Sequence, residues 1–324
     1  MKKLIFTMAT MMTAVFMFSS CAKEVQEPMQ ADESQNVEIT RATGGIPIVT
    51  YVETNDVDPR NAMSYTMDGK PFIDIVILFA ANIRGDMPQK GYLHYNNELT
   101  ALLADPADVV GTIRANGQKV LLGLLGDHTG LGVCNMTLAQ RTDFINALIG
   151  AIDTYGFDGF DFDDEYAKYG ENGFPDYNGT SYAALINELR AALDAKGYTD
   201  KLITVFDWSG AGSYTNTVSA ANANIDYAWY GYFGQLSFGN PGISGFPTSK
   251  YSSQALRLDA SYTASIVQSM SARSVSQGRG AIMTFNLRDN SNTTDFNNGL
   301  STLNAIAKGA YGTTKTVVHN GTFY

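Results

Sequence analysis

The sequence predicts an α/β fold, a (β/α)8 TIM barrel with a thin connection between its fifth and seventh strands. Three observations lead there. Short apolar runs, rich in β-branched and aromatic residues and closed by polar or glycine-rich sequence, recur along the chain as buried parallel strands do. Amphipathic helical segments lie between successive runs, which makes βαβ units and a mostly parallel sheet. The region that holds them spans roughly 270 residues, the usual size of an eight-stranded barrel.

In chain order, the first segment stands outside the fold. Lys2 and Lys3 precede an apolar run from Leu4 to Phe18, and Ser19, Ser20 and Cys21 follow. A basic start, a short Thr- and Ser-punctuated apolar stretch and small residues are expected to form an export leader, not a membrane span. The cysteine placed after the small residues resembles a bacterial lipoprotein signal, with Cys21 as the lipidated residue and its lipid as the chain's only membrane contact. From residue 22 to 44 the sequence is polar, acidic and without periodicity, and is expected to be a flexible tether. Residues 45–324 are expected to form one domain.

Within that domain, seven runs read as strands: "IPIVTYVE" at Ile46, "FIDIVILFAANI" at Phe72, "KVLLGLLGDH" at Lys119, "YGFDGFDFDDE" at Tyr155, "KLITVFDW" at Lys201, "IDYAWYGYF" at Ile225 and "GAIMTFNL" at Gly280. A weaker eighth is expected near "SQALRLDAS". Thr137 with Gln140 three residues on makes a capping box, and Leu138, Ile145, Leu148, Ile149 and Ile152 give the helix one apolar face. Tyr182, Leu185, Ile186, Leu189 and Leu193 do the same before Gly197, a C-terminal glycine. "SGAGSYTNTVSAANA" lacks an apolar face and is barely long enough for a crossover helix. A doubly wound open sheet is the alternative, but no glycine-rich phosphate loop follows any strand.

Composition excludes some functions. At 324 residues and 44% hydrophobic the chain can bury a large core. A net charge of −10 is the wrong sign for a nucleic-acid partner. Cys21 and Cys134 are the only cysteines and the three histidines are scattered, so no zinc site can be assembled and no cofactor is expected.

One stretch carries chemistry. "FDGFDFDDEYAKYG" from Phe157 places Asp158, Asp161, Asp163, Asp164 and Glu165 within eight positions. On a strand Asp161, Asp163 and Glu165 share a face while Phe160 and Phe162 point the other way. The phenylalanines would then pack outward on helices and the acids would enter a barrel interior that is normally apolar. Carboxylates stacked about 7 Å apart cannot all ionise cheaply, so at least one should hold a proton near neutral pH, as a general acid must. Glu165 comes last, at the end of the strand where barrel active sites lie. A calcium loop or solvated acidic turn is the competing possibility, and the alternating phenylalanines argue against it.

"DGFDFDDE" matches at every fixed position the DGxDxDxE signature of family 18 glycoside hydrolases, a match that chance would supply in on the order of one chain in several thousand. With "YVETN", "ILFAANI", "YLHYN", "VLLGLLGDHTG", "DYAWYGYFG" and "MTFNL" in order, the chain from Tyr51 to Leu287 is similar to the single-domain endo-β-N-acetylglucosaminidases of that family. The resemblance implies a (β/α)8 barrel with reduced or irregular helices around strands five to seven. It implies cleavage between the two core N-acetylglucosamines of N-linked glycans, high-mannose glycans being favoured, by substrate-assisted catalysis. Glu165 would be acid and then base, Asp163 would orient the substrate's 2-acetamido group, Asp161 would trade a proton with Asp163, and Tyr232 would hydrogen-bond the acetamido group. Tyr230 stands where relatives carry Asn or Gln, and Phe206 and Phe233 where relatives show tyrosine.

Further candidates follow strands at the same end. Trp208 and Trp229 are either sugar-stacking faces or core. Asn82, Asp127, His128, Asp207 and Asn286 suit a polar sugar cleft as a set. A chitinase on the same motif, or a glycan-binding protein that has kept the cleft, are the other functions the sequence leaves open. A monomer at the cell surface or in the periplasm, held by an outer-membrane lipid anchor, is expected.

Overall fold

A computed structural model describes residues 45–233 and 236–324; the expected leader, Cys21 and the tether lie outside the described residues. Nine strands run parallel in a nearly closed barrel: β1 (Ile48–Glu53), β2 (Ile75–Asp86), β3 (Lys119–Gly126), β4 (Gly159–Asp163), β5 (Leu202–Asp207), β6 (Tyr227–Tyr230), β7 (Tyr251–Ser252), β8 (Ala255–Arg257) and β9 (Ile282–Phe285). Their order is β7-β6-β5-β4-β3-β2-β1-β9-β8. The end strands β7 and β8 are separated in the chain only by Ser253 and Gln254, so they are two pieces of one barrel stave. At the break the Met283 N–H donates to Ser252 Oγ (2.9 Å), a side chain standing in for a missing backbone acceptor. The seven runs read from sequence are all strands, and the weak eighth is β8 with β7 before it.

The helices thin out where sequence suggested. Between β3 and β4 lies α1 (Leu138–Tyr155), started by the Thr137–Gln140 capping box, both halves of which form. Next comes α2 (Ser181–Ala195), ended near Gly197 at φ +76°. After β5 there is only a 3-10 helix, Thr215–Asn224, whose buried residues Thr215, Val218 and Ala221 recur every third position, the period of that helix. After β6 a three-residue 3-10 turn, Thr248–Lys250, is all the helix among the described residues. Regular helices return as α3 (Ala264–Ser276) and α4 (Thr293–Tyr311).

Buried apolar side chains form two groups. The larger lies between strands and helices and contains Phe160 and Phe162, both fully buried. The smaller, with Val49, Tyr51, Ile77, Leu121, Phe206, Trp229 and Met283, is the interior. Strand alternation therefore sends the two phenylalanines out and Asp161 and Asp163 in, as the sequence required.

The first two signature residues build β4. Asp158, buried, accepts from the Val120 N–H (2.9 Å) and from Arg114 Nε (3.1 Å), and Lys201 Nζ lies at 3.7 Å, which pins the strand's start between β3 and β5. Gly159 has φ +148°, and a Cβ there would lie 2.1 Å from the Leu202 carbonyl oxygen. Substituting Gly159→Ala is expected to lower stability by roughly 3 kcal/mol in urea unfolding, because strain and the clash both fall on the β4–β5 ladder. An unchanged midpoint would show that β4 enters the barrel otherwise.

Candidate active site

Asp161 is the deepest acid, fully buried in the barrel interior. Three donors hold it: Tyr51 Oη from β1 (2.6 Å), Trp229 Nε1 from β6 (2.7 Å) and the Thr204 hydroxyl from β5. Burial raises its carboxyl above the ordinary range, and the three hydrogen bonds oppose that rise. Both of its oxygens are engaged, and Asp163 hydrogen-bonds Glu165 instead of Asp161. The expected exchange between Asp161 and Asp163 is therefore not the pairing of the free protein.

Asp163 ends β4 one step higher. Burial raises its carboxyl well above the usual value, and the charges of Glu165, Asp161 and Asp164 add to the rise. A hydrogen bond between two carboxyl groups needs one proton, and Asp163 is the group with the stronger reason to hold it. Its Oδ1 is buried without a hydrogen-bond partner.

Glu165 lies two residues beyond the strand's end, not on the strand itself. Its backbone is still fixed by pairing. The Gly126 N–H donates to the Glu165 carbonyl (3.1 Å), His128 N–H to Tyr166 (2.7 Å) and Gly130 N–H to Ala167 (2.8 Å). Gly126 is required for that approach, since a Cβ there would sit 2.3 Å from the Glu165 oxygen. Burial raises the Glu165 carboxyl, the bond to Asp163 lowers it, and the neighbouring Asp164 raises it again.

Above the acids lies a cavity of about 380 Å³ lined by Tyr51, Glu53, Phe79, Asp163, Glu165, Tyr166, Phe206, Trp208, Gly231, Tyr232, Phe233 and Phe285. Five rings form its floor and far wall, with Phe206 stacked on Phe233 (5.7 Å) and Phe233 against Phe285 (4.7 Å). Tyr51 packs edge-on to Phe79 (5.7 Å). Tyr232 is 36% exposed, and its hydroxyl accepts from the Ser209 N–H (3.3 Å). The Trp208 ring lies so close over Gly210 that a Cβ there would collide with it at 1.7 Å.

Of the residues nominated from sequence, Asp163, Glu165, Trp208 and Tyr232 line the cavity and Asp161 lies beneath it. The others are placed elsewhere. Trp229 is fully buried and gives its indole N–H to Asp161, so it has no face for a sugar. Asp207 is buried and accepts from Gly242 N–H (2.6 Å) and Tyr251 Oη (2.8 Å), anchoring the loop after β6. Asn286 is buried at φ +65° with its amide donating to Asp259 (2.9 Å). Asn82 reaches the Gly126 carbonyl (3.4 Å) between β2 and β3, and Asp127 is ion-paired with Arg84. Exposed His128 packs its ring on Tyr166 (5.3 Å). Tyr230 is half-buried behind Tyr232, with its hydroxyl at Ser237 (3.0 Å). Sequence reasoning missed Tyr51, Glu53, Phe79, Tyr166 and Phe285. Tyr51 and Glu53 were findable, because the period of "VTYVE" puts them on the interior face with Val49. Among the described residues, no three His, Cys, Asp or Glu side chains are grouped to hold a metal ion.

An acid pair at the carboxyl end of one barrel strand, below an aromatic cavity, is a geometry suited to a glycosidase, and the family model for glycosyl hydrolases family 18 matches residues 48–318. The chain belongs to that family. It is 36% identical over 253 residues to an endo-β-N-acetylglucosaminidase of Flavobacterium sp. (strain SK1022), covering 77% of this chain and 78% of that one. To endo-β-N-acetylglucosaminidase F1 of Elizabethkingia meningoseptica it is 31% identical over 318 residues, covering 92% and 89%. Its fold is similar to Bacteroides thetaiotamicron EndoBT-3987 with Man5GlcNAc product, at TM-score 0.70 and 26% identity, over 89% of this chain and 66% of that chain.

The acids are held at a cost in stability. Asp163 binds its proton more tightly folded than unfolded, so its contribution is full below the ordinary carboxylate range and is lost as pH rises through the raised folded value. Asp163→Asn is therefore expected to melt higher than the parent at pH 8, with the gain shrinking toward pH 4. A thermal melt series in which the gain is equal at both ends would contradict this.

Proposed function

We infer that this family 18 hydrolase is an endo-β-N-acetylglucosaminidase, cleaving the β1,4 bond between the two core N-acetylglucosamines of N-linked glycans with retention. The observation that carries the chemistry is the hydrogen-bonded Asp163–Glu165 pair lining the cavity. The relatives carry the substrate. Two are endo-β-N-acetylglucosaminidases, and EndoBT-3987 is also described in complex with Man9GlcNAc2Asn substrate.

The steps follow from the pair. An acetamido N–H that donates to Asp163 favours the Asp163 carboxylate and moves the shared proton to Glu165. Glu165 then protonates the glycosidic oxygen as its bond to the anomeric carbon breaks. The acetamido carbonyl oxygen attacks that carbon from the opposite face and closes an oxazolinium ring, whose positive charge lies beside the Asp163 carboxylate. Glu165, now ionised, takes a proton from water, and the water oxygen opens the ring on the face the leaving sugar occupied. Two inversions give retention, and the proton is returned to the pair. The cavity's rings, with Phe206 and Phe233 apolar, give the sugar an apolar wall beside the acids.

Intact mass of a glycoprotein bearing only high-mannose glycans tests this. Loss of each glycan with one N-acetylglucosamine retained on the protein is expected, and Glu165→Gln should slow it about a thousandfold. Activity should fall as pH rises through the raised Glu165 value, because the acid form is then depleted. Release of chitin oligomers with no action on the glycoprotein would make the protein a chitinase. Binding of both without turnover would make it a lectin.

A further inference from the structure

Asp164 is the one acid of the run that the signature leaves unspecified, and the mechanism above does not use it. It points away from the cavity, opposite Asp163 and Glu165, and is 2% exposed. Its oxygens accept from three different loops. Cys134 Sγ (3.4 Å) comes from the loop after β3, the Tyr169 hydroxyl from the loop after β4, and the Tyr214 N–H (2.6 Å) from the loop after β5. The same three loops are tied again around it. The Cys134 N–H donates to Tyr169 Oη (3.1 Å), the Asn178 N–H to the Cys134 carbonyl (2.7 Å), and Tyr177 stacks on Tyr214 (3.5 Å). Among the described residues Asp164 makes no ion pair.

We propose that Asp164 is a positioning residue: it binds the loops after β3, β4 and β5 into one unit and so holds Glu165 and Trp208 in their places at the cavity. The line of force is short. Tyr214 lies six residues from Trp208, and Ser213 Oγ donates to the Trp208 carbonyl (2.7 Å). The Ser209 N–H of the same loop donates to Tyr232. Releasing Asp164 frees that loop and with it two cavity walls, while the turn that carries Glu165 keeps its backbone pairing and loses its side-chain tie to Tyr169 and Tyr214. A second consequence is electrostatic. A buried carboxylate with no cation is a costly way to make a tie that neutral groups could make. Its charge lies one residue from Glu165 and favours the protonated acid there. The other titratable groups that line the cavity with Glu165 are Asp163 on β4, Tyr166 after it, Tyr51 and Glu53 from β1 and Tyr232 after β6.

This rests on the endoglycosidase reading for its kinetics but not for its geometry, and two substitutions separate the tie from the charge. In Asp164→Asn the amide oxygen still accepts from the Tyr214 N–H and the amide nitrogen donates to Tyr169 Oη, so the loops stay while the charge goes. Asp164→Ala removes both. The chain has two tryptophans, and Trp229 is buried, so acrylamide quenching of fluorescence reports on Trp208. Asp164→Ala is expected to quench more readily than the parent, with kcat/KM down on the order of tenfold to a hundredfold. Asp164→Asn is expected to quench as the parent does, with the alkaline limb of its pH profile moved to lower pH. If Asp164→Ala fails to fold, Tyr169→Phe, which removes one donor, should show the same quenching change in smaller measure. Parental quenching and kcat/KM in Asp164→Ala, or in Tyr169→Phe where the alanine variant does not fold, would overturn the positioning role; an unmoved pH profile in Asp164→Asn would overturn the electrostatic one. Quenching needs no substrate, so an inactive parent protein would defeat the proposed function without deciding this one.

Discussion

Asp161 carries a carboxyl group into the largely apolar interior of a parallel barrel, and three hydrogen bonds make that possible. The donors come from β1, β5 and β6, so satisfying one acid fixes strands on opposite sides of the barrel at once. The aromatic packing around it follows from the same requirement. Trp229 is in the core because its N–H is needed there, and Tyr51 both donates to Asp161 and forms the cavity floor. On that base Asp163 and Glu165 are stacked toward solvent with progressively less burial, and the group that cannot ionise cheaply becomes the one that keeps the proton.

Much of this was legible in the sequence. Period-two alternation placed Phe160 and Phe162 outward and Asp161 and Asp163 inward, and the capping box at Thr137 forms as read. The split seventh stave was only half visible, because its closure runs through the Ser252 hydroxyl, and a side-chain acceptor leaves no apolar run to recognise. The site was harder to read. Polar residues that follow strands at the catalytic end looked alike in sequence, yet Asp207, Asn286, Asn82 and Asp127 spend their hydrogen bonds on loop backbone and on other side chains. Strand ends need those partners wherever backbone leaves the sheet. Trp229 misled for a related reason, since position along a strand does not reveal whether the N–H of a tryptophan is claimed from inside.

The acid run thus divides into layers of use. Asp158 and Gly159 set the strand, Asp161 anchors the barrel, Asp163 and Glu165 line the cavity, and Asp164 faces the loops behind them. So dense a cluster of like charge is destabilising at neutral pH, and strain of this kind is expected where activity requires it. The connections after β5 and β6 are consistent with the same division. Where regular helices are missing, the chain instead supplies Trp208, Gly231, Tyr232 and Phe233 to the cavity wall.

The most direct test of this account is the protonation state of Asp163 in the free protein. A 13C NMR titration of aspartate side-chain carboxyls, with Asp163→Asn to assign the signal, reads it without substrate. One resonance, absent from the variant, should keep its protonated shift through neutral pH while exposed aspartates ionise in the ordinary range. If the Asp163 carboxyl ionises with the exposed ones, the shared proton does not exist, and the mechanism built on it fails.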